Sequence, residues 1–338
     1  MGETTTDART NTTDTVEPAT SDVDASPRAR WRGPELVVLD GTATLFRAYY
    51  GMRFGDDGRF SLDGLEVGAV IGSLQLTLGY LRRERPEHVA IVFDSGQETF
   101  RNRIDPRYKA NRGDPPADLE PQFDLVRESF EALGFAVYGV LDYEADDLMA
   151  TLVRLARAGG MAVRLVSPDK DLCQLVVDEA PPVRLQDPKS GKTLDAAGVQ
   201  ARMGVPPERV VDFQALVGDS SDNIAGVRGV GPKAACALLQ SFGDLEKVYR
   251  NLERVQYVSV RGAKGLARKL EAGRGDAMLA RRLVALVDDV TIELDAEGIA
   301  DETRWMGPRG QVADALFHRL DAHGLLRGYR AQFERLSR

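Results

Sequence analysis

Beyond about residue 34, short apolar runs alternate with longer stretches in which apolar residues recur with helical spacing. The runs have the length and β-branched content of buried strands, and they cover 36–40, 89–94, 135–140 and 161–167. The helical stretches are 65–83, 119–134 and 144–160. Strands that alternate with helices predict an α/β fold, in which a mostly parallel sheet is flanked by helices.

From about residue 194 the pattern becomes mainly helical. The clearest helices are 207–218, 232–243 and 276–289, and a closing helix pair is predicted within 308–336. The first 33 residues are rich in Thr, Asp, Ser and Ala and have almost no large apolar side chains, so a disordered tail is predicted there. The predicted organisation is a tail (1–33), a sheet domain (34–193), a helical region (194–295) and a C-terminal helical extension (296–338).

Composition narrows the class of protein. The chain has 338 residues, of which 43% are hydrophobic, enough for a buried core. Cys173 and Cys236 lack metal-ligand spacing, and no apolar run has the length of a bilayer span or a signal core. We therefore expect a cytoplasmic protein with no membrane partner.

Net charge at first argues against nucleic-acid binding, since 52 acidic residues outnumber 44 basic ones and give −8. The average is misleading if many carboxylates are gathered in one site. Residues 101–112 contain five basic side chains and a single acid, Asp105. A basic surface for a phosphate backbone is therefore still expected locally.

Acidic residues follow the predicted strands or begin the helices after them. They are Asp40, Asp94, Glu144, Asp146, Asp147, Asp169, Asp171, Asp219 and Asp222. Singly, such residues are often helix caps or helix-start acids. Together they would converge on one edge of the sheet, where their repulsion requires cations. All-oxygen ligands favour Mg²⁺ or Mn²⁺, and two such ions about 4 Å apart suit phosphodiester hydrolysis.

The glycine-rich stretch 226–235 resembles a nucleotide-binding loop only superficially. It nearly matches both the dinucleotide fingerprint and the P-loop, but it follows a helix rather than a strand. Pro232 separates Gly231 from Lys233, and no Ser or Thr follows the lysine. We therefore expect no nucleotide cofactor. A hairpin between two helices would offer backbone N–H groups to nucleic-acid phosphates without reading bases.

Six motifs in order resemble the 5'-nuclease family, which includes the 5'-3' exonuclease domain of bacterial DNA polymerase I, phage 5'-nucleases and the flap endonucleases. They are 36-LVVLDG-41, 91-IVFD-94, 100-FRNRIDPRYKANR-112, 143-YEADD-147, 168-PDKDLCQL-175 and 218-GDSSDNIAGVRGVGPKAA-235. The likeness covers roughly residues 35 to 290. It implies a PIN-like catalytic domain (34–193) and a DNA-binding region with a helix-three-turn-helix motif (194–295).

The resemblance also implies an activity. Family members cleave DNA at 5' ends and flaps with two Mg²⁺ ions, so we expect a 5'-3' exonuclease and flap endonuclease of replication and repair. Its expected partners are 5' flaps, 5' ends, nicked or gapped duplexes and RNA–DNA primers. Because 338 residues leave no room for a polymerase domain, a stand-alone, nucleoid-associated enzyme is expected.

Carried over by motif, the resemblance assigns roles to residues. Asp40, Asp94, Glu144 and Asp146 would surround one metal ion. Asp146, Asp169, Asp171 and Asp222 would surround the other, with Asp147 and Asp219 in the outer shell. The expected catalytic residues are Lys109 and Arg112, on an arch over the strand, together with Asp40, Asp94 and Asp146. Expected DNA contacts are Arg101, Tyr108, Lys109, Arg112, Gly226, Val227, Gly229, Val230, Gly231, Lys233 and Lys264. The hairpin's backbone carbonyls are expected to be able to hold K⁺.

The chain departs from the family pattern at a few positions. Pro168 and Asp142 replace glycines, and Ala234 replaces a threonine. No expected metal ligand is lost, so these changes bear on rate and substrate preference. Two alternatives remain: a PIN-type ribonuclease would share the acidic residues without the hairpin, and a non-catalytic DNA-binding module would be expected to have lost carboxylates.

Overall fold

The computed structural model describes residues 31–51 and 59–337, and residues from Gly33 onward form one compact unit. The predicted tail, residues 1–33, therefore lies outside the described part except for residues 31–33. Within the described ranges, no helix is both long enough and apolar enough to cross a bilayer.

A six-stranded sheet forms the centre of the molecule. Its strands are β1 (Glu35–Asp40), β2 (His88–Val92), β3 (Ala136–Tyr138), β4 (Ala162–Val166), β5 (Val183–Gln186) and β6 (Thr193–Leu194). The spatial order is β3-β2-β1-β4-β5-β6; all neighbouring pairs are parallel except β5 and β6. The prediction of a mostly parallel sheet is confirmed. The sequence pattern identified β1 to β4 and missed β5 and β6.

Helices cover the sheet and build the C-terminal half. The first seven are α1 (Gly41–Gly51), α2 (Gly68–Glu84), α3 (Phe100–Ile104), α4 (Glu120–Ala132), α5 (Ala145–Ala158), α6 (Ala196–Met203) and α7 (Val210–Val217). A two-stranded ladder follows, formed by β7 (Gly218–Asp219) and β8 (Ile224–Ala225). The remaining helices are α8 (Pro232–Phe242), α9 (Leu245–Arg250), α10 (Leu266–Ala272), α11 (Arg274–Val284), α12 (Ile299–Thr303), α13 (Gly310–Arg319) and α14 (His323–Leu336). Short 3-10 helices lie at Asp171–Leu175, Pro207–Arg209, Leu252–Tyr257 and Ala263–Gly265.

Alternate residues of the central strands enter two separate cores, as the pleat requires. Val37 and Leu39 of β1 belong to the core beneath α2, α4, α13 and α14. Leu36 and Val38 belong to the core shared with α5 and the helical region. The closing helix pair is thus part of the layer behind the sheet. There the rings of Phe135 and Trp305 stack with centroids 5.1 Å apart.

Candidate functional site

Seven carboxylates line one cavity of about 230 Å³ at the carboxyl edge of the sheet. They are Asp40, Asp94, Glu144, Asp146, Asp169, Asp171 and Asp222. Tyr108, Lys109 and Arg112 line the same cavity from the segment after α3. The parallel strands explain part of this convergence, because β1, β2 and β4 end at the same edge and Asp40, Asp94 and Asp169 lie at or just after those ends. Asp222 reaches the cavity from the turn between β7 and β8.

Asp40 is fixed at the point where β1 passes into α1. Its Oδ1 accepts a hydrogen bond from the Ala43 amide at 2.8 Å, and its Oδ2 accepts one from the Ser167 hydroxyl at 2.8 Å. Burial, with a smaller contribution from the neighbouring Asp94, outweighs these two hydrogen bonds and raises the pKa of Asp40 to about 7. Asp94 in turn accepts from the Ala145 amide at the start of α5, at 2.9 Å.

Asp146 and Asp171 also lie among like charges. Burial, followed by repulsion from Asp169, holds the pKa of Asp146 well above its ordinary value. The same two causes, in the same order, raise the pKa of Asp171 to about 7. A bound cation would stabilise the ionised form of carboxyls whose pKa values are raised in this way.

Two basic side chains reach into this acidic cavity. The Lys109 ammonium lies 2.7 Å from Glu144 Oε1 and 3.9 Å from Asp222 Oδ2, and the Arg112 guanidinium hydrogen-bonds Asp222. Burial opposes the charge on Lys109, but Glu144 and Asp222 outweigh it and raise its pKa. The Tyr108 hydroxyl donates to Glu144 at 2.9 Å and lies 3.3 Å from Asp222. With its side chain only 4% exposed, Tyr108 belongs to the carboxylate cluster and is not the surface DNA contact expected from the sequence.

The donor set suits hard divalent cations, since the acidic side chains around the cavity present only oxygen atoms. In the described part of the chain, however, no three Asp, Glu, His or Cys side chains are arranged to hold an ion between them. The lack of such an arrangement has a structural explanation. Lys109, Arg112 and Ser167 hold several of the carboxylates in hydrogen bonds and ion pairs. Metal binding would therefore require these partners to be exchanged.

Asp147, expected near a metal, does not line the cavity and is fully buried. Its oxygens accept from both terminal nitrogens of Arg101, each at 2.7 Å, and from the amides of Val287 and Glu144. These four hydrogen bonds use the carboxylate completely. Asp147 can therefore act on the site only by holding Glu144 at the start of α5.

The ion pair between Arg101 and Asp147 corrects the expectation that Arg101 contacts DNA. Its side chain is 1% exposed, and its guanidinium also donates to the carbonyls of Leu283 and Ala285. Arg101 joins α3 to α5 and to the end of α11. Arg101 belongs to a run of basic residues, and only tertiary packing shows that its side chain points inward.

Asp219, the other expected outer-shell residue, is 5% exposed and lies outside the cavity lining. Its Oδ2 accepts from the Lys170 ammonium at 2.6 Å, and its Oδ1 accepts from the Ser221 amide at 2.9 Å. Burial acts against ionisation, yet these hydrogen bonds lower the pKa of Asp219. The ion pair ties the turn after β4 to the β7–β8 ladder.

The glycine hairpin lies between α7 and α8, as predicted, with the short β7–β8 ladder at its base. Gly229, Gly231 and Lys233 are exposed, as is Lys264 farther along the chain. Val227 and Val230 are core residues, and their amides donate to Leu216 and Val227 carbonyls. Val227 and Val230 therefore support the hairpin from within and are not the DNA contacts that we expected. Gly226, also expected to contact DNA, is half-buried beside Gly218.

Comparisons with known proteins agree with this architecture. The sequence model of the 5'-3' exonuclease N-terminal resolvase-like domain matches residues 35–204, and that of the 5'-3' exonuclease C-terminal SAM fold matches residues 205–304. The chain belongs to the 5'-3' exonuclease family.

Relatives of this 5'-3' exonuclease family member include longer proteins. DNA polymerase I of Rhizobium leguminosarum is 37% identical over 285 residues, which cover 82% of this chain and 27% of the relative. DNA polymerase I of Pseudomonas aeruginosa is 38% identical over 288 residues, which cover 85% of this chain and 30% of the relative. The chain thus spans less than a third of the length of these relatives.

Solved structures share the fold of this exonuclease family member. T5 5'-exonuclease with bound zinc ions superposes with a TM-score of 0.59 at 21% identity, covering 87% of this chain and 98% of that one. The catalytic core of Rad2 in complex with a DNA substrate has a TM-score of 0.56 at 14% identity, covering 88% and 92%. Both likenesses concern the fold alone.

Three side chains that hold the carboxylates in place were missed in the sequence. Ser167 holds Asp40, Lys170 holds Asp219, and Gln214 donates to Asp171 Oδ1 at 2.6 Å. Ser167 and Lys170 carry no periodic signal, because they lie in a turn. Gln214 could have been noticed, since it is a polar residue inside the otherwise apolar segment 213-FQALV-217.

The hairpin glycines allow a prediction. Gly229 has φ +78°, in the left-handed region that favours glycine. At Gly231, a Cβ would meet only open space. Replacing both with valine should weaken duplex binding and flatten its salt dependence, because side chains would keep backbone N–H groups away from phosphates. Binding titrations at several salt concentrations measure both effects. Mg²⁺-dependent stabilisation should stay unchanged.

A matched control separates backbone strain from loss of contact. Gly191, in the β5–β6 turn, has φ +71° and equally open space, so Gly191→Val introduces similar strain. It should leave duplex binding intact. Tight binding of NAD or ATP to the wild-type protein, lost in the hairpin variant, would contradict our interpretation of this loop.

Proposed function

We propose that the chain is a metal-dependent 5'-3' exonuclease and structure-specific 5'-flap endonuclease that hydrolyses DNA phosphodiesters with two Mg²⁺ ions. The observation that carries the proposal is the cavity in which seven carboxylates face Lys109 and Arg112 beside a helix–hairpin–helix unit. The predicted regions 34–193 and 194–295 both contribute to it, since Asp222 comes from the second.

Asp40, Asp94, Glu144 and Asp146 would hold one ion. Asp146, Asp169, Asp171 and Asp222 would hold the other. Bound there, Mg²⁺ or Mn²⁺ supplies an activated water and stabilises the negative charge that develops on the phosphate. The chain's own residues keep the carboxylates in place: Ser167 holds Asp40, and Asp147 holds the backbone of Glu144.

Lys109 and Arg112 would act on the scissile phosphate. In the structure they neutralise Glu144 and Asp222, and both side chains lie at the mouth of the cavity, with exposed fractions of 26% and 52%. When cations occupy the carboxylates, the ammonium and guanidinium groups become available to a phosphate at the same place. Among the described residues, the cavity lining contains no histidine.

The DNA would lie along the hairpin. The exposed backbone at Gly229 and Gly231 and the exposed Lys233 and Lys264 offer charge and N–H donors to phosphates, which position a strand without reading its sequence. A K⁺ ion at the hairpin carbonyls would have to share Gly229 with Lys269, whose ammonium donates to that carbonyl at 3.2 Å.

The biological setting follows from the substrate. Family membership and the polymerase I relatives support a role in flap and RNA-primer removal during replication and repair. Such work would place the protein with the nucleoid in the cytoplasm.

Product lengths from a 5'-labelled flap duplex, with Mg²⁺ and with EDTA, test the proposal. Short flap products that require Mg²⁺ would support it, and the ratio of single-nucleotide to flap-length products gives the balance of the two activities. Cleavage of single-stranded RNA in preference to the flap would instead indicate a PIN-type ribonuclease. Binding of the duplex without any cleavage would indicate a non-catalytic module.

Replacing Lys109 with alanine should lower the single-turnover cleavage rate by a larger factor than it weakens DNA binding. A charge at the scissile phosphate acts mainly in the transition state, and one such group contributes about 10²–10³-fold to the rate. Quench-flow rates and binding titrations measure the two effects. In the control Lys264→Ala, binding should weaken and the rate at saturation should stay the same. Equal losses of rate and affinity in Lys109→Ala would assign Lys109 to binding alone.

A further inference from the structure

Gln214 is a buried polar side chain in a mainly apolar helix, whose other polar residue is Asp212. It lies on α7, is 2% exposed, and is flanked by the buried residues Phe213 and Ala215. A buried carboxamide normally requires partners for both its nitrogen and its oxygen. Gln214 satisfies only the nitrogen, which donates to Asp171 Oδ1 at 2.6 Å.

The oxygen of the same carboxamide has no partner. Among the described residues, no group donates to Gln214 Oε1, although that atom is buried. Turning the amide over would not help, because the oxygen would then face the Asp171 carboxylate. If packing alone mattered, an apolar side chain of the same size would be favoured, because it has no buried acceptor that needs a donor. The contact with Asp171 is therefore the feature that distinguishes glutamine at this position.

Gln214 is also the end of a hydrogen-bonded series that crosses the floor of the cavity. The Asp171 amide donates to Asp169 Oδ1 at 2.8 Å, the Asp169 amide donates to Ser167 Oγ at 3.1 Å, and the Ser167 hydroxyl donates to Asp40 at 2.8 Å. The series links α7 to the end of β1. Because α7 ends at Val217 and only the β7–β8 ladder separates it from the glycine hairpin, the series also connects the proposed DNA-binding element with the carboxylates.

We propose that Gln214 is a positioning residue, which sets the orientation of Asp171 toward a divalent cation and couples the hairpin helix to the metal centre. The inference rests on the proposed function for the identity of that cation. Partners that orient metal ligands typically change metal affinity or activity by about 10–100-fold when removed. The effect of Gln214 should therefore appear in metal binding and turnover and not in the stability of the fold.

The test is Gln214→Met in the full chain, which keeps the side-chain volume and removes the donor. We measure the melting temperature in EDTA, the Mg²⁺ concentration at half-maximal stabilisation without DNA, and kcat and KM on a 5'-flap duplex. The matched control is Gln332→Met. Gln332 is also 2% exposed and donates to the Leu81 carbonyl, but it lies on α14 behind the sheet.

For Gln214→Met we expect the Mg²⁺ midpoint to rise by about 10-fold, kcat to fall by about 10-fold or more, and KM to stay unchanged. The melting temperature in EDTA should not fall, since the unpaired acceptor is gone. Gln332→Met should lower the melting temperature and leave the Mg²⁺ midpoint unchanged.

An unchanged Mg²⁺ midpoint in Gln214→Met overturns the proposal. If that variant does not fold, Gln214→Leu repeats the test, and failure of both to fold would make Gln214 a structural residue and overturn it as well. The proposal would also be overturned if Mg²⁺ did not stabilise the wild-type protein. A wild-type protein that Mg²⁺ stabilises but that leaves the flap uncut contradicts the proposed function alone, and the midpoint shift still decides the role of Gln214.

Discussion

Asp146→Asn should abolish cleavage and at the same time stabilise the protein in the absence of metal. Asp146 is the carboxylate that we propose to be shared by both ions, so its loss should slow the reaction on the order of 10³-fold, or about 4 kcal/mol of barrier. Single-turnover cleavage of a flap duplex measures the rate. The proposed shared role predicts that excess Mg²⁺ does not restore it.

The gain in stability has its origin in the pKa of Asp146. Burial and the neighbouring Asp169, Asp40, Asp94 and Glu144 hold that pKa well above its ordinary value. A carboxyl whose pKa is higher in the folded than in the unfolded chain weakens the fold at neutral pH, where the unfolded chain is ionised. Asparagine removes this cost, so the melting temperature in EDTA should rise by about 2 °C or more, and Mg²⁺ should add less than in the wild type.

Asp289→Asn is the matched control, because Asp289 is exposed. It should change neither the melting temperature nor the rate. An Asp146→Asn protein that is destabilised in EDTA, gains the full Mg²⁺ stabilisation and still cleaves DNA would remove Asp146 from the metal centre. The two-ion proposal would then lose its shared ligand.

Arg101→Met should be the most destabilising substitution considered, although Arg101 lies in the most basic segment of the sequence. The guanidinium forms a bidentate pair with Asp147 at 2.7 Å, and both side chains are at most 1% exposed. Removing one partner leaves a buried charge without compensation, which costs about 3–5 kcal/mol. Urea denaturation followed by circular dichroism measures the change in unfolding free energy.

A double variant distinguishes a lost ion pair from lost packing. Arg101→Met with Asp147→Leu removes both charges, so it should recover a substantial part of the stability that Arg101→Met loses. Loss of DNA affinity in Arg101→Met without any change in unfolding free energy would return Arg101 to the surface role expected from the sequence.

Much of the architecture could be predicted without coordinates. Apolar runs of strand length alternated with helical periodicity, and this pattern specifies a parallel sheet because only helices can cross from one parallel strand to the next. β5 and β6 were not predicted, because their four and two residues include polar side chains and form no continuous apolar run. The helical periodicity before the glycine run also argued against a nucleotide loop, and the structure has α7 there, followed by the short β7–β8 ladder.

The candidate site was predictable where the chain direction alone determines the location of a residue. Asp40, Asp94 and Asp169 follow the ends of parallel strands, so their meeting at one edge follows from topology. Their ordered appearance in family motifs added Glu144, Asp171 and Asp222. The structure brings these residues together around one cavity, while their roles as ligands remain proposals.

Only the tertiary structure decided which charged side chains face the cavity and which face the core. Arg101 and Lys109 belong to the same basic segment, yet one is buried against Asp147 and the other reaches Glu144. Local sequence cannot distinguish them, because each orientation depends on a carboxylate more than 30 residues away in the chain. The unpaired oxygen of Gln214 likewise exists only after α7 packs beside Asp171. Residue type and order determined which chemical groups this protein has. Their location was determined by the pairing of charges across distant segments, because burial makes such pairing energetically decisive.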